Sequence, residues 1–341
     1  MRLIVLLVWA ALLASTFVLL RIGVIRYLPE LARICCFRWG AFRTTLWLVR
    51  LTRLFRVNEH TLPILAQVES IARASLGETD TVLALAQELR RIARAEGGCW
   101  HCSYFSAAAF LHSGHYQEVL AFSNTWYAHP NPSAHLHWAL LQIHIAEALH
   151  RAGDLHAARA RILTLMRMVR PDSGVAHVLH LRHAEMLAHD GLGEQALETL
   201  RRVDPEKLHL QHESEYFFAR ASALLAAHKY TEADQEVRLG LARARRAPST
   251  RNGLFLRGQL AHAAGRLEEA HQYFQAGAAH PYKGQGGDTL LSWGDCLTSL
   301  GRPEEARQAW QLVLARDPQS AAAPQASARL GVVKSKQPHW C

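Results

Sequence analysis

Residues 254–277 read LFLRGQLAHAAGRLEEAHQYFQAG, and residues 290–318 read LLSWGDCLTSLGRPEEARQAWQLVLARDP. Each holds an apolar run of helical spacing, a glycine, then a second such run, the pattern of two antiparallel helices with Gly ending the first. Overlaying the two stretches on Gly265 and Gly301 sets a register that extends upstream. The equivalent turn residues are Gly77, Gly114, Gly153, Gly191, His228, Gly265 and Gly301, with gaps of 37, 39, 38, 37, 37 and 36. Five positions beyond each stands a small or β-branched residue: Val82, Val119, Ala158, Ala196, Ala233, Ala270 and Ala306. Seven positions before each stands Ser70, Ala107, Ala146, Ala184, Ala221, Gly258 or Gly294. Where two helices cross, a side chain much larger than Ala forces the backbones apart, so both rows are structural.

The units resemble tetratricopeptide repeats (TPRs). In 290–318 the residues Trp293-Gly294, Leu297, Gly301, Ala306, Trp310 and Pro318 fall on or beside the family's positions. The resemblance runs from residue 63 to 320, and Gln67 in the first unit departs from it. It implies an all-α, right-handed superhelical solenoid of about seven helical hairpins plus a capping helix; one transmembrane helix in front is expected separately, from the apolar run at residues 3–20. A single hairpin cannot bury its apolar face, so the units must stack, and an open end needs a polar cap. Residues 321–333 supply the capping helix, and 334–341 a polar tail. Extra residues at 205–213 and 281–288 lengthen two spacers, and Asp288 is expected to cap the helix that follows.

The family holds peptides or partner helices on a concave surface lined by the first helix of each unit. Ten positions before the turn residue come Tyr104, Ile143, Leu181, Phe218, Phe255 and Leu291, an unbroken apolar row. Six before it come Ala108, Glu147, Glu185, Ser222, Gln259 and Asp295. The Lys, Asn and Arg set with which some family members clamp a C-terminal carboxylate is missing. An apolar stripe edged by carboxylates suits an amphipathic helix or extended segment with basic flanks; the alternative is that these residues only pack inside the superhelix.

The chain has 341 residues, half of them apolar, and a net charge of +9. Its basicity sits at one end: residues 1–57 hold nine Arg against the single Glu30, a balance of 9 − 1 = +8. That distribution speaks against nucleic acid as a partner. Leu3 to Leu20 is eighteen residues without charge, spanning about 27 Å as a helix, close to a bilayer core. Leu19-Leu20-Arg21 offers no small-residue cleavage site, so 1–25 reads as an anchor rather than a signal peptide. Arginines beyond it place the bulk of a single-pass protein in the cytoplasm, at the inner membrane in a Gram-negative cell. In 26–60, Arg38, Arg43, Arg50, Arg53 and Arg56 fall on one arc, as in a basic amphipathic helix on anionic lipid. Phe37, Trp47, Leu48, Leu51, Leu54 and Phe55 occupy much of the remainder, with Trp39, Phe42 and Leu46 among the arginines; the alternative is a linker helix packed on the next domain. Each mid-helix Arg opposes a second span. This organisation, with the repeat domain at 61–333, is similar to that of HemY-like bacterial inner-membrane proteins, which usually have two spans.

No catalytic residue, cofactor or small-molecule substrate is evident. The six Cys are too few and irregular for a disulfide framework. Cys99 and Cys102 form a lone C-x-x-C, which supports an alternative: a thiol- or metal-dependent membrane protein, redox or haem-pathway related. Nothing near it completes a zinc site, and the His177, His180, His183 stripe lacks a convergent carboxylate or thiolate. The expected role is therefore a membrane-anchored scaffold or adaptor that binds protein partners through its concave face.

Overall fold

In a computed structural model the described residues are 27–36, 39–54, 62–95, 100–123, 136–208, 212–244, 247–280 and 286–331. The apolar run 3–20, Arg38, Arg56, Cys99 and the tail 334–341 lie outside them. Among the described residues there is no strand, and no helix is long and apolar enough to cross a membrane.

A helical stretch at 27–36 leads through Gly40 to α1 (Phe42–Leu54). Seven hairpins follow: α2 (Leu62–Ser75) with α3 (Thr79–Ala95), α4 (Trp100–His112) with α5 (Tyr116–Leu120), α6 (Leu136–Ala152) with α7 (Leu155–Met168), and α8 (Gly174–His189) with α9 (Gly193–Leu200). The last three are α10 (Glu213–Ala226) with α11 (Tyr230–Arg243), α12 (Ala247–Ala263) with α13 (Leu267–Ala279), and α14 (Gly287–Ser299) with α15 (Pro303–Arg316). The shorter α16 (Ala322–Arg329) closes the array.

All seven turn residues adopt positive φ, between 59° at His228 and 95° at Gly153. The next residue's N–H then reaches back to the carbonyl five before it, as in Glu78 to Arg73, Asp154 to Leu149 and Arg302 to Leu297, at 2.9–3.0 Å. That bond satisfies a carbonyl the helix end would otherwise leave open. His228 is the exception in residue type; a side chain in the left-handed region costs about 1–2 kcal/mol.

The small residues lie where the register puts them. Val82, Val119, Ala158, Ala196, Ala233, Ala270 and Ala306 have no exposed surface. A Cβ on Gly258 would lie 2.4 Å from Phe274, and one on Gly294 2.3 Å from Trp310. Large residues nine positions past the turn thus match the absent side chain seven before it. Where Ala replaces Gly, as at Ala146, Ala184 and Ala221, the same core clusters hold the smaller Ile162, Leu200 and Val237.

The register extends one unit further than the sequence suggested. Gly40, with φ 62°, lies 37 residues before Gly77, so 27–36 and α1 form an additional hairpin. Ala32, Cys35, Cys36, Leu48 and Val49 pack on Leu65, Val68 and Ile71 of α2. Leu48, expected on the apolar side of a helix lying on lipid, packs on α2 instead. Leu48 is in the core because α2 needs its apolar face covered. Arg53 is not a free surface cation either: its Nη2 lies 2.5 Å from the buried Glu69 carboxylate, which also holds Arg73.

The C-terminal end is not open. The segment 317–321, between α15 and α16, touches the second and third hairpins beside their turns, 170 to 202 residues upstream. Ala321 N–H donates to the Arg151 carbonyl at 2.8 Å, and Gln117 N–H to the Gln319 side chain at 3.0 Å. Asp317 is buried; its Oδ2 accepts from Gly287 N–H at 3.0 Å and lies 3.5 Å from the Tyr116 hydroxyl. Asp317, rather than Asp288, thus caps α14: Gly286 at the N-cap offers no side chain, and Asp288 sits in the first turn.

Candidate functional site

The first helices of all seven hairpins converge on one groove, whose inner part is a cavity of about 140 Å³. Gln67, Tyr104, Glu147, Arg182, Glu215, Phe255 and Asp288 show the contribution of each unit in turn. A contiguous cavity of about 650 Å³ continues past Phe218, Gln259 and Leu291.

The apolar row divides. Tyr104 lines the inner cavity, Phe255 both, and Leu291 and the rim of Phe218 the outer one. Ile143 and Leu181 do neither: they are buried in the core with Ala146 and Ala184, so the stripe expected to be unbroken is interrupted at the third and fourth hairpins. The physical reason is angular, since positions ten and seven before the turn lie about 60° apart on a helix and share its buried flank. Phe218 packs closely on Gly240, where a Cβ would lie 2.5 Å from its ring, and on Gly253, where a Cβ would strike Leu241 first.

The carboxylate row fares differently. Glu147 and Glu185 face the inner cavity, Gln259 the outer one. Asp295 is bound by Arg329 of α16 through two bonds of 2.5 and 2.7 Å. Arg182 joins Glu185 and Glu215, at 2.8 Å each, and Glu215 also meets His212 Nδ1 at 2.8 Å. Arg151 approaches Asp288 at 3.5 Å. Burial pushes the Glu147 carboxyl up, but Arg182 and Arg151 outweigh it and hold it below the ordinary carboxylate value. Burial raises Glu185 despite Arg182. His144 stacks on Tyr104 with ring centroids 5.1 Å apart, and burial lowers its pKa to about 4. Burial, then Arg151, lowers His150 to about 3. Both imidazoles are neutral at pH 7, and neither His144 ring nitrogen has a partner among the described residues.

Arg151, Arg182, Glu215, His144 and His212 stand outside the apolar and carboxylate rows, so those two rows of the sequence do not reveal them. Positions two, nine and thirteen before the turn carry four of them: Arg151; His144 and Arg182; and Glu215, in line with Asn252 and Asp288. Among the described residues, the other motifs line neither cavity. Cys102 is buried, as are Cys35, Cys36 and Cys296. His177 is buried too, its Nδ1 accepting Asp204 N–H at 3.2 Å. Among the described residues no group of three or more His, Cys, Asp or Glu could hold a metal ion.

No protein-family model and no curated protein matches the chain. Solved structures do. The chain is similar to the Cut9–Hcn1 hetero-tetramer of the APC/C, with a TM-score of 0.54, 15% identity, and coverage of 84% of this chain but 54% of that one. It thus spans about half of that protein, and the likeness shows the fold, a TPR-like helical solenoid. Weaker similarities are to PilW, a type IV pilus biogenesis factor (TM-score 0.41, 14% identity, 66% of this chain and 97% of that), and to a Rap protein complexed with competence and sporulation factor (0.45, 14%, 90% and 77%).

Proposed function

We propose that this protein is a membrane-tethered adaptor that holds a segment of a partner protein in the groove of its solenoid. The observation that carries the reading is the convergence of all seven first helices on one cavity, which mixes apolar surface (Tyr104, Phe255) with fixed charge (Glu147, Arg182). Such a lining binds an extended segment by a few anchors and charge matching. The Cut9 structure, in which that protein is joined to Hcn1, supports protein partners for this kind of stack. Residues 3–20 supply the tether, and the arginines that follow orient the repeats toward the cytoplasm. Tethering raises the partner's effective concentration at the membrane without new contacts.

The test is affinity capture from detergent-solubilised membranes with the full chain. Partners retained by the wild type are expected to be lost from Phe255→Ala and from Glu147→Gln, with unchanged helical content. Retention of the same partners by both variants would sink the reading.

A further inference from the structure

The N-terminal end of the stack departs from what a solenoid requires in water. A terminal unit exposes the face that inner units bury, so that face has to be polar. Here the most exposed large apolar side chains among the described residues are Leu54 (79%), Tyr27 (66%), Trp47 (60%) and Trp39 (59%), all in the N-terminal hairpin. On α1, Arg43, Trp47, Arg50 and Leu54 fall within about 60° of arc, a single outward stripe. The opposite side, Leu48 and Val49, is locked on α2, so the stripe cannot turn inward. Arg43 and Arg50 form no ion pair among the described residues. Glu30, the one acidic residue in 1–57, is held by Arg33 through bonds of 2.6 and 2.9 Å. The N-terminal hairpin therefore exposes aromatic and cationic groups, with Arg43, Trp47, Arg50 and Leu54 on one stripe.

We propose that an anionic lipid bilayer surface covers this face and serves as the solenoid's N-terminal cap. Tyr and Trp rings suit the headgroup level, where an apolar body and a polar tip are both satisfied, and guanidinium groups pair with lipid phosphates. A second copy fits less well, because a two-fold contact sets the same arginine patch against itself. The apolar run ends at Leu20, six residues short of the hairpin's Tyr27, a reach of about 20 Å when extended. This last argument rests on the tether proposed above. The contact differs from the arc seen in the sequence: Leu48 and Arg53 are withdrawn from it, and Trp39 and Tyr27 join it.

The experiment uses the full chain with Trp9→Phe, which removes the tryptophan inside the apolar run, in nanodiscs of phosphatidylcholine with or without phosphatidylglycerol. Brominated acyl chains quench tryptophans at the lipid, and iodide quenches those in water. Comparison with W39F/W47F isolates the signal of those two residues. We expect it to be quenched by bromolipid, more so with phosphatidylglycerol, and R43Q/R50Q to abolish that dependence on lipid charge. Quenching by iodide and not by bromolipid overturns the proposal. Protection from both, with a doubled mass in the disc, overturns it in favour of a second copy. Extraction of the chain from native membranes by alkaline carbonate would instead overturn the tether, which separates the two failures.

Discussion

At the scale of the residue, two glycines with opposite reasons to be glycine make the repeat testable. Gly191 has φ 77° and nothing within 4 Å of a Cβ, so Gly191→Ala bears only the backbone penalty, about 1–2 kcal/mol. Gly258 has no such φ; its Cβ would strike Phe274, and Gly258→Ala is expected to destabilise by about 1–3 kcal/mol. Urea denaturation checks both. Phe274→Leu should recover much of the second loss and none of the first. The neutral histidines set a pH dependence. Folding depresses His144 to about 4 and His150 to about 3, against ordinary values near 6.5. The unfolded chain therefore binds more protons between those values, and the stability present above pH 6.5 is lost as pH falls toward 4. Thermal melts across that range should show a fall in Tm that H144Q/H150Q reduces.

At the scale of the element, what the sequence revealed follows from repetition. The turn and small-residue rows recur in seven units, so the hairpins were legible, and the resemblance named their family. The N-terminal hairpin obeys the same spacing through Gly40, but its helices are so arginine-rich that the charge concealed the repeat. Its packing is nevertheless ordinary: Leu48→Ala would remove a buried side chain at the contact with α2, a loss of about 2–5 kcal/mol. Hydrogen exchange should then speed up in α1 and α2 and leave α14 and α15 unchanged. The charged groove residues were less legible, because a groove wall on a helix takes side chains from several rows, and the apolar and small rows are the easier to see.

At the scale of the molecule, nothing local foretold the contact of 317–321 with the turns at Gly114 and Gly153. It joins residues 170 to 202 positions apart and rests on one backbone–backbone bond, one bond from a backbone N–H to the Gln319 side chain, and one buried carboxylate. Asp317→Ala would remove the α14 cap and the link to Tyr116 together. The radius of gyration from small-angle scattering is expected to rise as the 317–321 segment parts from the second and third hairpins, and an unchanged value would mean that the other two bonds suffice. While that segment stays on those hairpins, the groove is an eyelet and not a trough. A partner's free terminus could be threaded through it, whereas an internal stretch flanked by folded domains would have to wait for the loop to part. Once threaded, a bulky folded domain would act as a stopper, so the lifetime of the complex would depend on how often the eyelet opens as much as on the strength of the contacts within it.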